Sequence, residues 1–166
     1  MNPAVVGRAM LTRLQADTTL YSGGGWTSAL AGGASFNRAG DATTLYPYIV
    51  YNIDVNAENY FGGIAAPFEL TITVFDLDGN GTDKLEVVID RIIGDSTLAS
   101  GTNAAPTYGL HNHKLALPAI GSTNILGATC SELNLTGVSI GPSDTIRVNQ
   151  ANITFNGHLS KQATNV

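Results

Sequence analysis

Residues 67–75, Pro-Phe-Glu-Leu-Thr-Ile-Thr-Val-Phe, alternate strictly: Phe68, Leu70, Ile72 and Val74 take one side of an extended chain, and Glu69, Thr71 and Thr73 take the other. A period of two over that length marks a half-buried antiparallel strand. After Asp76-Leu77-Asp78-Gly79-Asn80-Gly81 the period lengthens. Leu85, Val88, Ile89, Ile92 and Ile93 recur at steps of three and four, which collects them on one stripe of a helix. Thr82 or Asp83 can cap its first amides, and Gly94 ends it. No catalytic motif interrupts this order, so it points to an assembly part rather than an enzyme.

The flanking segments extend the pattern. Residues 3–20 read as a helix that Pro3 suits at its first turn, with Val6, Met10 and Leu14 on one face and Arg8, Arg13, Gln15 and Asp17 mostly elsewhere. Pro47 introduces a strand over residues 48–55 in which Ile49, Tyr51 and Ile53 share a face. Gly62-Gly63 separates it from the strand that follows, so the two form an antiparallel hairpin with a long loop. Residues 132–140 and 145–159 alternate around a turn at residues 141–144. Ile146 and Val148 share one parity and Ile153 and Phe155 the other, which calls for a bulge between Asn149 and Asn152. Two segments resist regular structure: residues 22–44, rich in glycine, and residues 96–127, an extended excursion with scattered Gly and Pro.

A chain of 166 residues fits one domain, residues 1–166. With 43% hydrophobic and only 13% charged residues, solubility rests on Thr, Asn, Ser and Gly; such a surface suits burial against neighbouring subunits, the other reading being a weakly charged monomer. The net charge of −5, without a basic run, opposes direct binding to a nucleic-acid backbone, though a channel that repels phosphate lets a duplex slide through it. A single Cys130 excludes an intramolecular disulfide and a cysteine-based zinc cluster. There is no twenty-residue apolar run, and the opening Met1-Asn2-Pro3 lacks the basic start of an export signal, so neither membrane nor export is expected.

Four constellations bear on chemistry. Asp76, Asp78 and Asn80, followed by Gly81, match the opening of a calcium loop, but its twelfth position is Val87 and Glu86 comes one residue early; the other reading is a strand-to-helix turn. His111 and His113 would share one face of a strand without a recognisable third ligand, which favours packing histidines. Cys130 opens an alternating strand and reads as a buried structural thiol. Gly23-Gly24-Gly25 follows a helix rather than a strand and lacks the lysine of a phosphate cradle. No cofactor is implied. Candidate interface residues are the loop aromatics Trp26 and Phe36, which either anchor a partner or fold back onto the core, together with Arg38, Asp41, Tyr60 and Phe61.

In element order and hydrophobic pattern the chain resembles the tail terminator, or tail-completion, family of long-tailed bacteriophages, which also supplies minor tail and head-tail joining proteins. The resemblance is carried by Arg8 and the run from Leu11 to Leu14 in the first helix, and by Leu45-Tyr46-Pro47-Tyr48-Ile49-Val50-Tyr51. It continues through the strand from Phe68 to Asp76, the helix ending at Ile93, and the last hairpin with its turn at residues 141–144. It implies an α+β domain, with two helices packed on an antiparallel sheet of about four main strands, assembled into a ring that is usually a hexamer. Such a ring caps the head-proximal end of the tail tube, stops its growth and offers a docking face to the head connector, while DNA passes through its lumen. The implied partners are further copies of the chain, the tube protein and the connector; the implied location is the virion, after assembly in the host cytoplasm.

Three other readings remain: a head-closure, neck-connector or sheath-associated protein, a calcium-dependent binding module built on Asp76, Asp78 and Asn80, and a small enzyme using Cys130 or the histidines.

Overall fold

The computed structural model describes residues 4–38, 44–56, 65–77, 82–94, 108–117, 128–143 and 147–161. Helix α1 spans Ala4–Gln15, ending short of the expected residue 20 where the chain turns into the next strand, and buries Val6, Met10 and Leu14, the face set by the four-residue spacing, along with Val5 and Ala9. Strand β4, Tyr48–Val55, and strand β5, Ala65–Leu77, pair antiparallel from Tyr48 opposite Phe75 to Val55 opposite Phe68. β5 is longer than the alternation alone suggests, starting two residues before Pro67. Helix α2, Thr82–Ile93, follows, with Leu85, Val88, Ile89 and Ile92 buried.

The sheet is completed by β8, Val148–Lys161, which pairs antiparallel with β5 from Leu77 opposite Val148 to Ala65 opposite Ser160. On its far side β8 carries two short partners in succession: β6, Ala128–Cys130, along its end, and β7, Asn134–Pro142, along its beginning. The architecture is α+β, as expected. Ile49, Tyr51 and Ile53 of β4, Phe68, Leu70, Ile72 and Val74 of β5, and Ala151, Ile153, Phe155 and Leu159 of β8 form the buried side of the sheet and join the apolar faces of both helices in one core. Burying Leu85, Val88, Ile89 and Ile92 contributes on the order of 8 kcal/mol of transfer free energy as an upper bound, enough to fix α2 on the sheet.

Four further expectations change. The glycine-rich segment is not structureless. It holds a hairpin of β1, Tyr21–Ser22, and β2, Gly25–Trp26, then a 3₁₀ turn at Ser28–Leu30, then β3, Gly33–Phe36. β3 pairs parallel with β4, so among the described residues the sheet has six strands and is mixed rather than wholly antiparallel. The bulge lies in β7, where the register with β8 shifts between Leu135 and Gly137, and not in β8. β8 runs without a break beside β5, which places Val148 on the opposite side from Ile153; it is buried there all the same. The fourth change is Asp17, expected away from the core and instead buried just beyond α1.

Asp17 ties three parts of the chain together. Its carboxylate accepts two hydrogen bonds from Arg91 near the end of α2, each 2.7 Å, and one from the Thr19 amide at 2.9 Å. The Arg91 guanidinium also lies 3.6 Å from the centre of the Tyr108 ring. Tyr108 precedes Gly109, whose carbonyl accepts a hydrogen bond from Arg13 at 3.1 Å. Gly94 and Gly109 meet backbone to backbone, both at positive φ, so a side chain at either would collide with the other strand of chain. That approach lets the amides of Leu110 and His111 reach the carbonyls of Ile92 and Ile93 and close the end of α2.

Burial alone would raise the Asp17 carboxyl, but the hydrogen bonds and charge of Arg91, with the Thr19 amide, outweigh it and hold the group below the usual carboxylate range. A carboxyl lowered by folding stabilises the native state above its unfolded pKa, near 4, and that contribution is lost as pH falls through the lower native value. Asp17→Asn should therefore cost about 2 kcal/mol at pH 7. In urea titrations the gap between the two proteins should narrow below about pH 4; a gap independent of pH would mean that the charge does not matter.

Candidate functional site

The helices cover one side of the sheet, and the other side holds the candidate surface. There Asn52, Thr71 and Thr154 lie side by side in register across β4, β5 and β8, and the Thr73 hydroxyl donates to Asn152 Oδ1 at 2.8 Å. Short polar side chains suit a β-surface that must stay wet or meet another polar surface, because they can bond across the strands and lose little entropy. Asp54 and Glu69 stand directly opposite one another, and no Lys or Arg shares this face among the described residues. Like charges in that position cost stability. With Asn56, Asn156 and His158 they line an open depression of about 520 Å³ at one end of the sheet. At the other end Tyr48 stacks on Phe75 at 4.9 Å, with Tyr46 set edge-on to Tyr48 at 5.2 Å.

The candidate interface residues do not converge. Trp26 is half-buried, packs against the core and meets the Tyr21 ring edge-on at 5.2 Å, so its ring is largely engaged within the chain. Phe36 touches the Tyr51 ring yet remains 48% exposed at the end of β3. Arg38 is exposed, its carbonyl accepting a hydrogen bond from the Ser35 hydroxyl. Asp41, Tyr60 and Phe61 lie outside the described residues, as do Asp78 and Asn80 of the calcium-loop match. Asp76 is buried at the end of β5 opposite Asn149, with Oδ1 accepting the Leu77 amide.

The histidines stand in a turn rather than on a strand face: Asn112 between them has φ of 57°, and the His113 amide donates to the Leu110 carbonyl. His111 Nδ1 accepts the Leu135 amide at 3.1 Å, fixing this segment against β7. Burial, and secondarily the charge of Arg13, push the His113 pKa down, so its imidazole favours the neutral form. No group of three or more His, Cys, Asp or Glu side chains is placed to hold a metal among the described residues. Gly23 and Gly24, both at positive φ, form the two-residue turn between β1 and β2.

Sequence reasoning missed the sheet edges. From the bulge onward β7 is largely exposed, with Val138 and Ile140 exposed by 43% and 58%. Both lie on the helix side of the sheet, opposite Ile153 and Ala151, beyond the cover that the helices provide. The signal was present: Leu133 and Leu135 occupy odd positions and Val138 and Ile140 even ones, a parity change that only a bulge at Thr136 reconciles.

No protein-family model matches this chain, and no curated protein matches it in sequence. Among solved structures, a chain from the virion of a native gene transfer agent particle aligns over 96% of this chain and 99% of its own length, with a TM-score of 0.56 and 16% identity. The two chains share a fold.

Cys130, on β6, is 5% exposed, and burial pushes its thiol up to about 11 against the smaller opposing effect of a backbone hydrogen bond from Leu115. A thiol that stays protonated is a poor nucleophile. Ellman's reagent at pH 8 should label the native protein at least about a hundredfold more slowly than the urea-unfolded chain; equal rates would place Cys130 at an accessible, activated position.

Proposed function

We propose that this chain is a structural protein of a phage-like virion, and more specifically a tail terminator: a ring on the head-proximal end of the tail tube that ends tube growth and receives the head connector. The observation that carries the virion reading is the end-to-end fold likeness to a chain of the gene transfer agent virion. The terminator assignment rests on the element order described above, in which the Tyr46-Pro47-Tyr48 entry leads into β4 and the long alternating strand β5 leads into α2.

The physical work of such a protein is binding without turnover. A subunit that repeats head to tail closes when its rotation divides a full turn, whereas tube subunits keep adding in the axial direction. A terminator matches the last tube ring on one side and lacks the surface on which another ring would grow. The open sheet face fits the channel of such a ring. It is polar, it carries Asp54 and Glu69 without a compensating Lys or Arg among the described residues, and it would repel rather than hold a passing duplex.

The decisive experiment is electron microscopy of lysates from the parent virus with an early stop codon in this gene. Overlong tails without heads are the expected result. Tails of normal length beside filled heads would instead make the chain a neck connector, and unaltered virions would remove it from the particle's essential parts. In the terminator, Asp54→Lys with Glu69→Lys should slow DNA ejection, with a stronger effect at low ionic strength; ejection at the normal rate at every salt concentration would take this face out of the channel.

A further inference from the structure

The sheet ends in two open edges, and they are complementary. β3 is the last strand on one side, and β7 lies outermost along the first half of β8 on the other. Edge strands of soluble proteins are normally guarded by charge, by proline or by a covering element. The segment at residues 111–114 covers only the start of β7 and Trp26 lies against Gly33 at the start of β3; beyond those points neither edge is so guarded among the described residues. β3 reads Gly-Ala-Ser-Phe, and β7 reads Asn-Leu-Thr-Gly-Val-Ser-Ile-Gly-Pro, with no charged residue in either and its single proline at the end. Each edge also exposes apolar side chains on the helix side of the sheet: Phe36 at β3, Val138 and Ile140 at β7.

Strand directions decide how these edges can meet. β3 runs parallel to β4, β4 antiparallel to β5, β5 antiparallel to β8, and β8 antiparallel to β7. β3 and β7 therefore run in opposite directions within one chain. When a second copy is set beside the first with its helices on the same side, β7 of one lies antiparallel to β3 of the next. Phe36 then falls on the same face as Val138 and Ile140, and one contact covers both apolar patches. A symmetric pairing of β7 with β7 would leave β3 and Phe36 open.

We infer that the chain joins to further copies of itself head to tail, with β7 of each copy adding to the β3 edge of its neighbour so that the sheet continues from subunit to subunit. This deepens the assembly reading and rests on it for the choice of a second copy as partner. A heterologous contact of this kind has no internal stop, so it closes only through the rotation that each step adds. The polar face with Asp54 and Glu69 then lies on one side of the whole assembly and the helices on the other.

The test uses the purified full chain with Ser35→Cys and Ser139→Cys, two positions on the polar side of β3 and β7, joined by a short bismaleimide; Cys130 is buried and stays silent. The double variant should give a ladder of dimers, trimers and larger species on a denaturing gel, and neither single variant should give more than background. Alongside it, Val138→Lys with Ile140→Lys should weaken self-association at least about tenfold in sedimentation velocity without altering the circular dichroism spectrum. Dimers from Ser139→Cys alone would replace the inference with a symmetric β7 pair. An unlinked double variant, or a chain that remains monomeric at high concentration, would overturn the contact outright. Because the stop-codon phenotype is read separately, overlong tails without a ladder would discard the edge contact alone, and a ladder with unaltered virions would discard the virion role alone.

Discussion

Everything in this molecule is organised around the pairing of β5 with β8. The two strands are far apart in sequence, so closing the chain between them carries the largest ordering cost in the sheet. What repays it is the face they make together, with Leu70 against Phe155, Ile72 against Ile153 and Val74 against Ala151, all fully buried beneath the helices. β4 can attach to β5 locally, and β6 and β7 attach to β8, but neither attachment shelters its apolar face without the central pair. The helices depend on it equally, since Leu85, Val88 and Ile92 of α2 are buried in the core that this pair floors.

The elements easiest to read in the sequence are those whose local period agrees with their final burial. β4 and α2 have the boundaries their patterns indicate, because each has one apolar face and one polar face and lies where the core can take the first. β3 was hidden for a physical reason. Four residues containing Gly33 and Ala34 carry no periodic signal, and the strand exists because β4 offers it an edge, with the Asn37 amide reaching the Tyr51 carbonyl just beyond. Asp17 was hidden too: a charged residue at a helix end looks solvated until the chain folds Arg91 back to it across more than seventy residues.

The candidate surface was less legible than the fold. Loop aromatics drew attention because large apolar side chains on loops often anchor partners, yet Trp26 is mostly occupied by its own chain. The informative residues, Val138 and Ile140, sit in a regular strand and look like ordinary core positions in one dimension. Only the three-dimensional limit of the helical layer makes them surface. The acidic pair Asp54 and Glu69 was likewise invisible, because nothing in a sequence shows that two residues on different strands will stand opposite one another. The histidines behaved as packing residues, with His111 using a ring nitrogen to complete a backbone hydrogen bond rather than to meet a ligand.

One property of β8 bears on mechanics. It is a single uninterrupted strand that carries β5 along one side and β6 and β7 in tandem along the other. A load applied parallel to these strands is shared by all the hydrogen bonds of a ladder about 44 Å long, which must shear together. A load applied across β7 separates its bonds one after another, starting from the bulge or the turn. A subunit built this way is stiff along one axis and compliant along another, so the direction from which a load arrives decides which of the two behaviours the molecule shows.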